Sequence, residues 1–410
     1  MFVFVDGPGL ARGAAGGVAI ALSSSVVTLL TGRVAGISGI VGPLVSGRAP
    51  DLFSLAYTAG LLCAGAVLLA VSPRTAIFGA ADGPALHWGA CVVGGLAIGF
   101  GTRLGSGCTS GHGIIGLARL SPRSLAAVAA FFSVAIITAG VSRSSALRPT
   151  LYGAEAALPS PTGSFSWALT PDLYIVPLVV AVAAGILLFG VVATVRRRGR
   201  AVPTATSTGT PLPESSYAAP PPQSPMTPNA ALLSEDNAEG AAAAAAAPLS
   251  AKVVAAAGVW VSGFAFGLAL GMSGMLNPSK VLRFLDFLGD GGWDPQLILV
   301  MGCGVAANAV LVRAMAVGAF ATTVPPLAAA LGGAQKPLGG IINYGPACAA
   351  NRKIDAALIG GSVLFGFGWG LTGVCPGPAV VDYVTGGAHY GVVVPALLFG
   401  MAAYEAAVLK

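Results

Sequence analysis

Apolar residues run along this chain in long blocks, without the strict alternation of a barrel strand and without a sustained polar face. Nine blocks are long enough to cross a bilayer as helices, which takes roughly 20 residues each. They fall at 12–31, 52–72, 88–105, 123–141, 172–195, 251–270, 296–322, 355–372 and 389–408. Lipid offers the backbone no hydrogen-bond partners, so only helices or a closed barrel can span it, and the missing alternation removes the barrel. The pattern predicts an all-α polytopic membrane protein with nine transmembrane helices. Composition agrees: 55% of the 410 residues are hydrophobic and only 9% are charged, too few for an ordinary soluble surface.

Several blocks are interrupted by glycine, proline and small polar residues, and the interruptions recur. GISGIVGP at 36–43 is echoed by GMSGMLNP at 271–278, and GFGTRLGSGC at 99–108 by GFGWGLTGVC at 366–375. In the second pair the cysteine keeps its distance from Gly-Phe-Gly. Two matches in the same order indicate an internal duplication. Five predicted spans separate the start of the first repeat from the start of the second, and an odd number turns the second repeat over. Inverted repeats with broken segments at corresponding positions are a transporter pattern, with the binding site near mid-membrane. The expected organisation is a first membrane repeat at 1–195, a disordered cytosolic linker at 196–250 and a second, inverted repeat at 251–410, both with broken or re-entrant half-helices. The linker opens with RRRGR and contains GAAAAAAAP, too little apolar variety for a core; an Ala-rich helix near 239–247 is the alternative.

Charge changes the picture less than its sum suggests. With the basic end of the linker in the cytosol, fifteen Lys and Arg fall inside and six outside, the usual positive-inside bias. That bias accounts for the net charge of +6 without nucleic acid as a partner. The expected location is the plasma membrane, with the linker and the C-terminus cytosolic. The opening MFVFVDGPGLARG is too short an apolar run for a secretion signal, and organelle targeting stays open. The six cysteines form no CxxC and no zinc-like spacing with the three histidines, so no disulfide framework, metal or cofactor is expected. No GxxxxGK[ST] loop is present to supply an ATP-driven engine.

The candidate site follows from the breaks. Glycine permits backbone conformations that other residues resist and lets a ligand approach closely. A half-helix beginning after each break would aim N–H groups and the positive end of its dipole at mid-membrane, which favours an anion. CTSGHG at 108–113 and CPGP at 375–378 both read as such starts, with Thr109, Ser110 and Pro376 types favoured at caps and first turns. The expected substrate path comprises Cys108, Cys375, Thr109, Ser110, His112, Gly107, Gly111, Pro376 and Gly377, together with Ser38 and Ser273 in the other two breaks. A phosphate or carboxylate site would recruit Arg, Lys and hydroxyls. Soft thiol donors suit an anion that carries sulfur.

At this point the residues carry a resemblance. GFGTRLGSGCTSGHGIIGLARLSPRSLAA resembles the signature of the YeeE/YedE family of sulfur-compound transporters, and GMSGMLNPSKVLRFLDF, WDPQLILVMG and LFGFGWGLTGVCPGPAVV resemble its second half. The match covers both membrane halves and not the linker. It implies thiosulfate uptake along a narrow central path, the anion passing between thiols with little large-scale motion, and by motif those thiols are Cys108 and Cys375. Family members often carry a third relay cysteine, which has no counterpart by motif here. Some bacterial relatives have the two halves as separate chains or work with a small cytosolic sulfur-carrier protein, so the linker looks like a fusion joint.

Plainer readings stand beside these. Cys63, Cys91, Cys303 and Cys348 read as small hydrophobes. His112 either contacts the anion or bonds a carbonyl near a helix end. Arg103 either snorkels to the cytosolic interface or lines the path. Asn277, Pro278 and Lys280 either line the outer approach or shape a half-helix. Asp286, Asp290 and Asp294 read as a solvated loop. The expected function is transport of thiosulfate or a closely related inorganic sulfur anion, with no enzymatic activity. The rivals are a membrane sulfurtransferase or thiol redox enzyme, which needs a base beside Cys108 and has His112 as the nearest histidine, and a channel for selenium compounds or other small anions.

Overall fold

The computed structural model describes residues 7–31, 33–45, 51–71, 86–144, 146–152, 249–287, 293–316, 354–384 and 388–408. These residues are helical throughout their regular structure. In chain order the helices are α1 (Gly7–Thr31), α2 (Ile37–Val45), α3 (Leu52–Val71), α4 (Trp88–Leu104), α5 (Thr109–Gly116), α6 (Pro122–Ser142), α7 (Arg148–Tyr152), α8 (Leu249–Ser273), α9 (Pro278–Leu285), α10 (Gln296–Ala316), α11 (Ala356–Thr372), α12 (Pro376–Tyr383) and α13 (Ala388–Val408). Six are long and apolar enough to cross a membrane, and eight crossings result if α4 with α5 and α11 with α12 each count as one broken span. Eight of the nine expected spans coincide with these helices; the expected span at 172–195, and the linker up to 248, lie outside the described residues.

Two series of six helices repeat one plan. From α1 to α6 the lengths are 25, 9, 20, 17, 8 and 21 residues; from α8 to α13 they are 25, 8, 21, 17, 8 and 21. Packing repeats as well: α1 against α10 answers α8 against α3, and α4 against α13 answers α11 against α6. The pairs α1–α8 and α4–α11 are their own counterparts. In the second of these, Gly94 lies against Thr372 and Gly101 against Gly361, so α4 and α11 run antiparallel. Small residues bring these backbones together, as expected where lipid provides no hydrophobic drive between helices. A Cβ on Gly99 would sit 2.0 Å from the Leu397 carbonyl oxygen, and one on Gly366 would sit 2.4 Å from that of Phe131. Polar residues add to this in α1 and α10, where Ser25 donates to the Asn308 side-chain oxygen at 2.9 Å and Asn308 reaches Ser24 at 3.4 Å.

Four helix starts carry a cap of one kind. Asp51, Ser121, Asn277 and Asp355 accept the N–H three residues on, at 3.0, 3.4, 3.3 and 2.8 Å, and so satisfy donors that the helix leaves without an internal acceptor. Three helix ends share another device. Thr31, Ser273 and Thr372 each donate back to a carbonyl in their own helix and accept the N–H two residues on, from Arg33, Met275 and Val374. The hydroxyl thus turns the chain out of the helix, and Gly274 (φ 77°) and Gly373 (φ 72°) follow in the left-handed region.

These ends correct the register taken from the sequence. GISG at 36–39 opens α2, whereas GMSG at 271–274 closes α8, so the likeness of 36–43 to 271–278 is not a structural equivalence. By position Ser273 answers Thr31. Short runs of glycine and hydroxyl residues serve both a helix end and a helix start, and local likeness could not tell them apart. The cysteine register stands: α5 follows Cys108 as α12 follows Cys375.

The acidic residues at 286 and 294 correct a second expectation. Asp286 is buried and meets Arg143 at 3.2 Å, with both side chains at most 10% exposed. Asp294 meets Lys280 at 3.5 Å and accepts the N–H of Gln296 at 3.0 Å. They anchor α9 to α6 and to the start of α10 instead of standing in water; Asp290 lies outside the described residues.

Candidate anion site at the paired breaks

The chain bends by 49° between α4 and α5 and by 45° between α11 and α12. Cys108 and Cys375 are the N-cap residues of the half-helices that follow, both in extended backbone conformation and both buried. The two breaks meet. Thr109 and Ser110, at the start of α5, line one small cavity together with Gly377 and Pro378, at the start of α12. Cys108 Sγ is 3.2 Å from Ser110 Oγ, which in turn accepts the N–H of Ile37 at 3.2 Å. A chain of contacts therefore runs from the start of α2 through Ser110 to Cys108.

The half-helices differ in what they offer. α5 is wound as a π-helix, a wider coil that recurs at functional sites. Its first positions, Thr109, Ser110 and Gly111, all carry N–H groups. In α12, Pro376 and Pro378 have none, so Gly377 supplies the sole N–H among the first three positions. A Cβ on Gly377 would lie 3.4 Å from Leu270 and 3.7 Å from Ile37, ordinary contact distances around a small space.

Two cavities flank this junction. A small one of about 30 Å³, room for about a water molecule or two, is lined by Thr109, Ser110, Ile37, Gly377, Pro378 and Trp369 among mostly apolar neighbours. A larger one of about 510 Å³ lies against the other face of the same turn, lined by Ser38, Gly107, Gly111 and His112 and by Arg33, Arg119 and Arg123. Between them Gly36 and Gly111 bring α2 and α5 together: a Cβ on Gly111 would sit 3.8 Å from the Gly36 Cα. The arginines engage partners at its rim, Arg33 with Asp51 and Arg123 with Asp355 at 3.8 Å.

The other expected residues occupy supporting positions. His112 meets the Gly105 carbonyl through Nε2 at 3.1 Å and Ser124 Oγ through Nδ1 at 3.1 Å. Since the carbonyl can only accept, Nε2 carries the hydrogen and Nδ1 accepts from the serine, so both ring nitrogens are engaged. Gly107 makes room for this ring: a Cβ there would lie 2.4 Å from it. Ser273 holds the end of α8, while Ser38 lies in the first turn of α2 with its carbonyl 3.4 Å from Arg103. Arg103 is tied to Glu405 of α13 by Nε at 2.7 Å and by a second guanidinium nitrogen. Asn277 caps α9, and Lys280 pairs with Asp294.

Sequence reasoning missed two clusters. Cys91 is not merely a small hydrophobe: its thiol lies 3.5 Å from His389 Nδ1, and His389 Nε2 donates to the Thr372 carbonyl at 3.2 Å. Each half thus has an imidazole bonded to a carbonyl near the end of the helix before its break. The second is at the end of α12, where Asp382 is fully buried, and in α13, where the buried Tyr390 donates its hydroxyl to the Leu276 carbonyl at 2.9 Å. The sequence did carry a signal for it, because Asp382 is the only acid between Ala356 and Tyr404. Among the described cysteines, Cys63 is exposed and Cys303 half-buried; Cys348 lies outside the described residues. No cluster of three or more His, Cys, Asp or Glu side chains suited to a metal occurs among the described residues.

Two broken helices beside six long apolar ones define a polytopic integral membrane protein, with a small cavity at the starts of α5 and α12. Residues 253–409 match a family described as a family of unknown function (DUF6691). Two proteins of Xylella fastidiosa, each named "Probable transporter", are similar to parts of the chain. One is 42% identical over 124 residues, 30% of this chain and 88% of that protein. The other is 34% identical over 149 residues, 36% of this chain and 87% of that protein. The chain belongs to the family of these proteins. No solved structure matches it.

Proposed function

We propose that the protein is a membrane transporter for thiosulfate or a closely related inorganic sulfur anion, carried past Cys108 and Cys375 where the two broken helices meet. The observation that carries this reading is the cavity that Thr109 and Ser110, just after Cys108, line together with Gly377 and Pro378, just after Cys375. An anion there would face the starts of two helices and the hydroxyls of Thr109 and Ser110, with Cys108 and Cys375 next along the chain, and no carboxylate side chain lines the small cavity. The names of the relatives support transport, and the resemblance to YeeE/YedE transporters supports a sulfur anion.

The antiparallel run of α4 and α11, equivalent in the two series, supports the inverted repeat. The ion pairs support the topology with a cytosolic linker. Arg33–Asp51, Arg103–Glu405 and Arg123–Asp355 fall on the inner side of that scheme, and Arg143–Asp286 and Lys280–Asp294 on the outer side. The arginine-rimmed cavity then faces the cytosol, where a small sulfur-carrier protein is a fitting recipient, and the membrane is the plasma membrane. A sulfurtransferase needs a base for its thiol, and His112 has both ring nitrogens engaged with Gly105 and Ser124.

The test is uptake of radiolabelled thiosulfate into proteoliposomes by the unaltered protein, Cys108→Ala and Cys375→Ala, with sulfate as competitor. Uptake is expected to be lost in both variants and barely reduced by sulfate. Full uptake by both variants removes the thiols from the path.

A further inference from the structure

Trp369 stands in α11, ahead of Cys375 in the same broken span, and its side chain is 1% exposed. An indole carries one hydrogen-bonding group, an N–H that can only donate. A buried tryptophan ordinarily finds an acceptor for it, because a donor taken out of water and left without a partner is costly. Trp293 does so, giving its Nε1 hydrogen to the Phe284 carbonyl at 2.9 Å. Trp369 Nε1 has no acceptor among the described residues.

The same residue lines the small cavity at the starts of α5 and α12, beside Thr109, Ser110 and Gly377. Of the buried side-chain groups that find no hydrogen-bond partner among the described residues, it alone lines either cavity of the junction. An unmet donor beside a cavity calls for a ligand that brings an acceptor.

The walls say which kind of ligand. No Asp, Glu, Lys, Arg or His lines this cavity, so no fixed charge there competes for the donors. Its polar groups are the indole, two hydroxyls and the first turns of two helices, all able to donate, and helix starts favour negative charge. A bare metal cation would need several oxygen ligands, and the indole offers none.

The donor is also held in place. Phe365, one turn earlier on α11, stacks on the indole with planes 3° apart and centroids 6.0 Å apart. Phe131 and Phe132 of α6 meet it edge to face at 6.0 and 5.2 Å. Phe132 also meets Phe284, which lines the same cavity, at 6.2 Å. A ring packed on several sides is fixed before any ligand arrives, so binding loses little in ordering it.

The other half of the chain does not repeat the feature. In the register that pairs Cys108 with Cys375, Trp369 answers Thr102 of α4, whose hydroxyl is committed to the Gly99 carbonyl at 3.1 Å. The indole therefore makes the site one-sided.

We propose that Trp369 is an anion-binding residue of the transport path, its Nε1–H donating to the anion as it passes between the starts of α5 and α12. This rests on the transport reading above and adds to it a donor that is neither thiol nor hydroxyl. The contact is a hydrogen bond only, and no proton or electron changes hands.

The indole hydrogens give a direct readout. With tryptophan isotope-labelled at the indole nitrogen, the five tryptophans of the unaltered protein yield five magnetic-resonance signals in detergent. The Trp369 signal is the one that W88F, W167F, W260F and W293F each leave in place, so its assignment does not require W369F to fold. On titration with sodium thiosulfate its proton is expected to move downfield and saturate, as a hydrogen bond to a charged acceptor forms. A Trp369 signal that thiosulfate leaves unmoved is what a resident water would give, and it overturns the proposal. In proteoliposomes W369F keeps an aromatic ring and loses the donor. The thiosulfate concentration for half-maximal uptake is expected to rise about tenfold, the scale of a hydrogen bond to a charged group, with the maximal rate much less affected. A lower maximal rate at an unchanged half-saturation point is the mark of fewer folded molecules and overturns the proposal. If the unaltered protein takes up no thiosulfate, the transport reading falls, while the titration still decides whether Trp369 holds an anion.

Discussion

Thr109, the residue after Cys108, and Gly377, two residues after Cys375, line one small cavity, and there the two halves of the chain adjoin. Thr109 opens α5, and Gly377 lies in the first turn of α12.

Removing the hydroxyl at that junction isolates its contribution. Thr109→Val keeps the shape and takes the hydroxyl out of the cavity lining, removing a donor whose hydrogen bond to a passing anion would be worth about 1 kcal/mol net. Thiosulfate uptake is expected to fall roughly fivefold, the equivalent of that energy, and Thr109→Ser to recover it. Equal uptake by all three proteins would separate the hydroxyl from transport.

The close helix crossings predict a paired effect on stability. Gly99→Val and Gly366→Val each force a side chain onto a facing carbonyl oxygen, of Leu397 and Phe131 respectively. Overpacking of this kind costs about 1–3 kcal/mol or more. Both variants should lower the thermal midpoint in detergent, whereas Gly360→Ala, with nothing within 4 Å of the new Cβ, should not. A midpoint as high as the unaltered protein's in either valine variant contradicts the packing described.

Arg103 and Glu405 form an ion pair between α4 and α13, with side chains 21% and 7% exposed. Breaking such a pair strands the remaining charge at a cost of about 3–5 kcal/mol, while replacing both charges with apolar residues is often neutral. Arg103→Met should therefore destabilise strongly, and Arg103→Met with Glu405→Leu should restore most of the loss. Additive losses in a thermal-shift cycle would mean that the two side chains act separately.

Asp51 gives a pH dependence outside the membrane-spanning helices. Burial pushes its carboxyl up, but hydrogen bonds from Ser54 and Arg33 and the nearby guanidinium outweigh this and hold it below the usual carboxylate range. A folded-state value below the unfolded one adds stability that is present above the ordinary carboxylate pKa and is lost as pH falls through the folded-state value. The effect is small, because both side chains of the pair are about a third exposed, at 33% and 37%. Asp51→Asn keeps an acceptor for the Ser54 N–H, so it should flatten the acid limb of the stability curve without uncapping α3. An acid limb as steep as before would place its origin elsewhere.

Span positions were legible because lipid demands about 20 apolar residues per helix, and eight of nine blocks coincide with described helices. Cys108 and Cys375 were legible because one register repeats around them. The α1–α2 and α8–α9 register was not, since Thr31, Ser38 and Ser273 all sit in glycine-rich runs that carry no directional mark. The π-winding of α5 leaves no periodic signal in eight residues. The roles of His112, Cys91 and Asp286 depend on Ser124, His389 and Arg143, partners that spacing alone did not identify. Asp382 was visible as a lone acid in an apolar stretch, and only the structure shows that it is fully buried.

The two cavities at the junction differ in volume from about 510 to about 30 Å³. A space that admits about one or two waters cannot hold a hydrated ion, so an anion carried through it, as proposed, would shed its water shell and go in single file. The hydroxyls of Thr109 and Ser110 and nearby backbone N–H groups would then stand in for the lost hydration, while the apolar neighbours of the same narrow space would hold back bulk water.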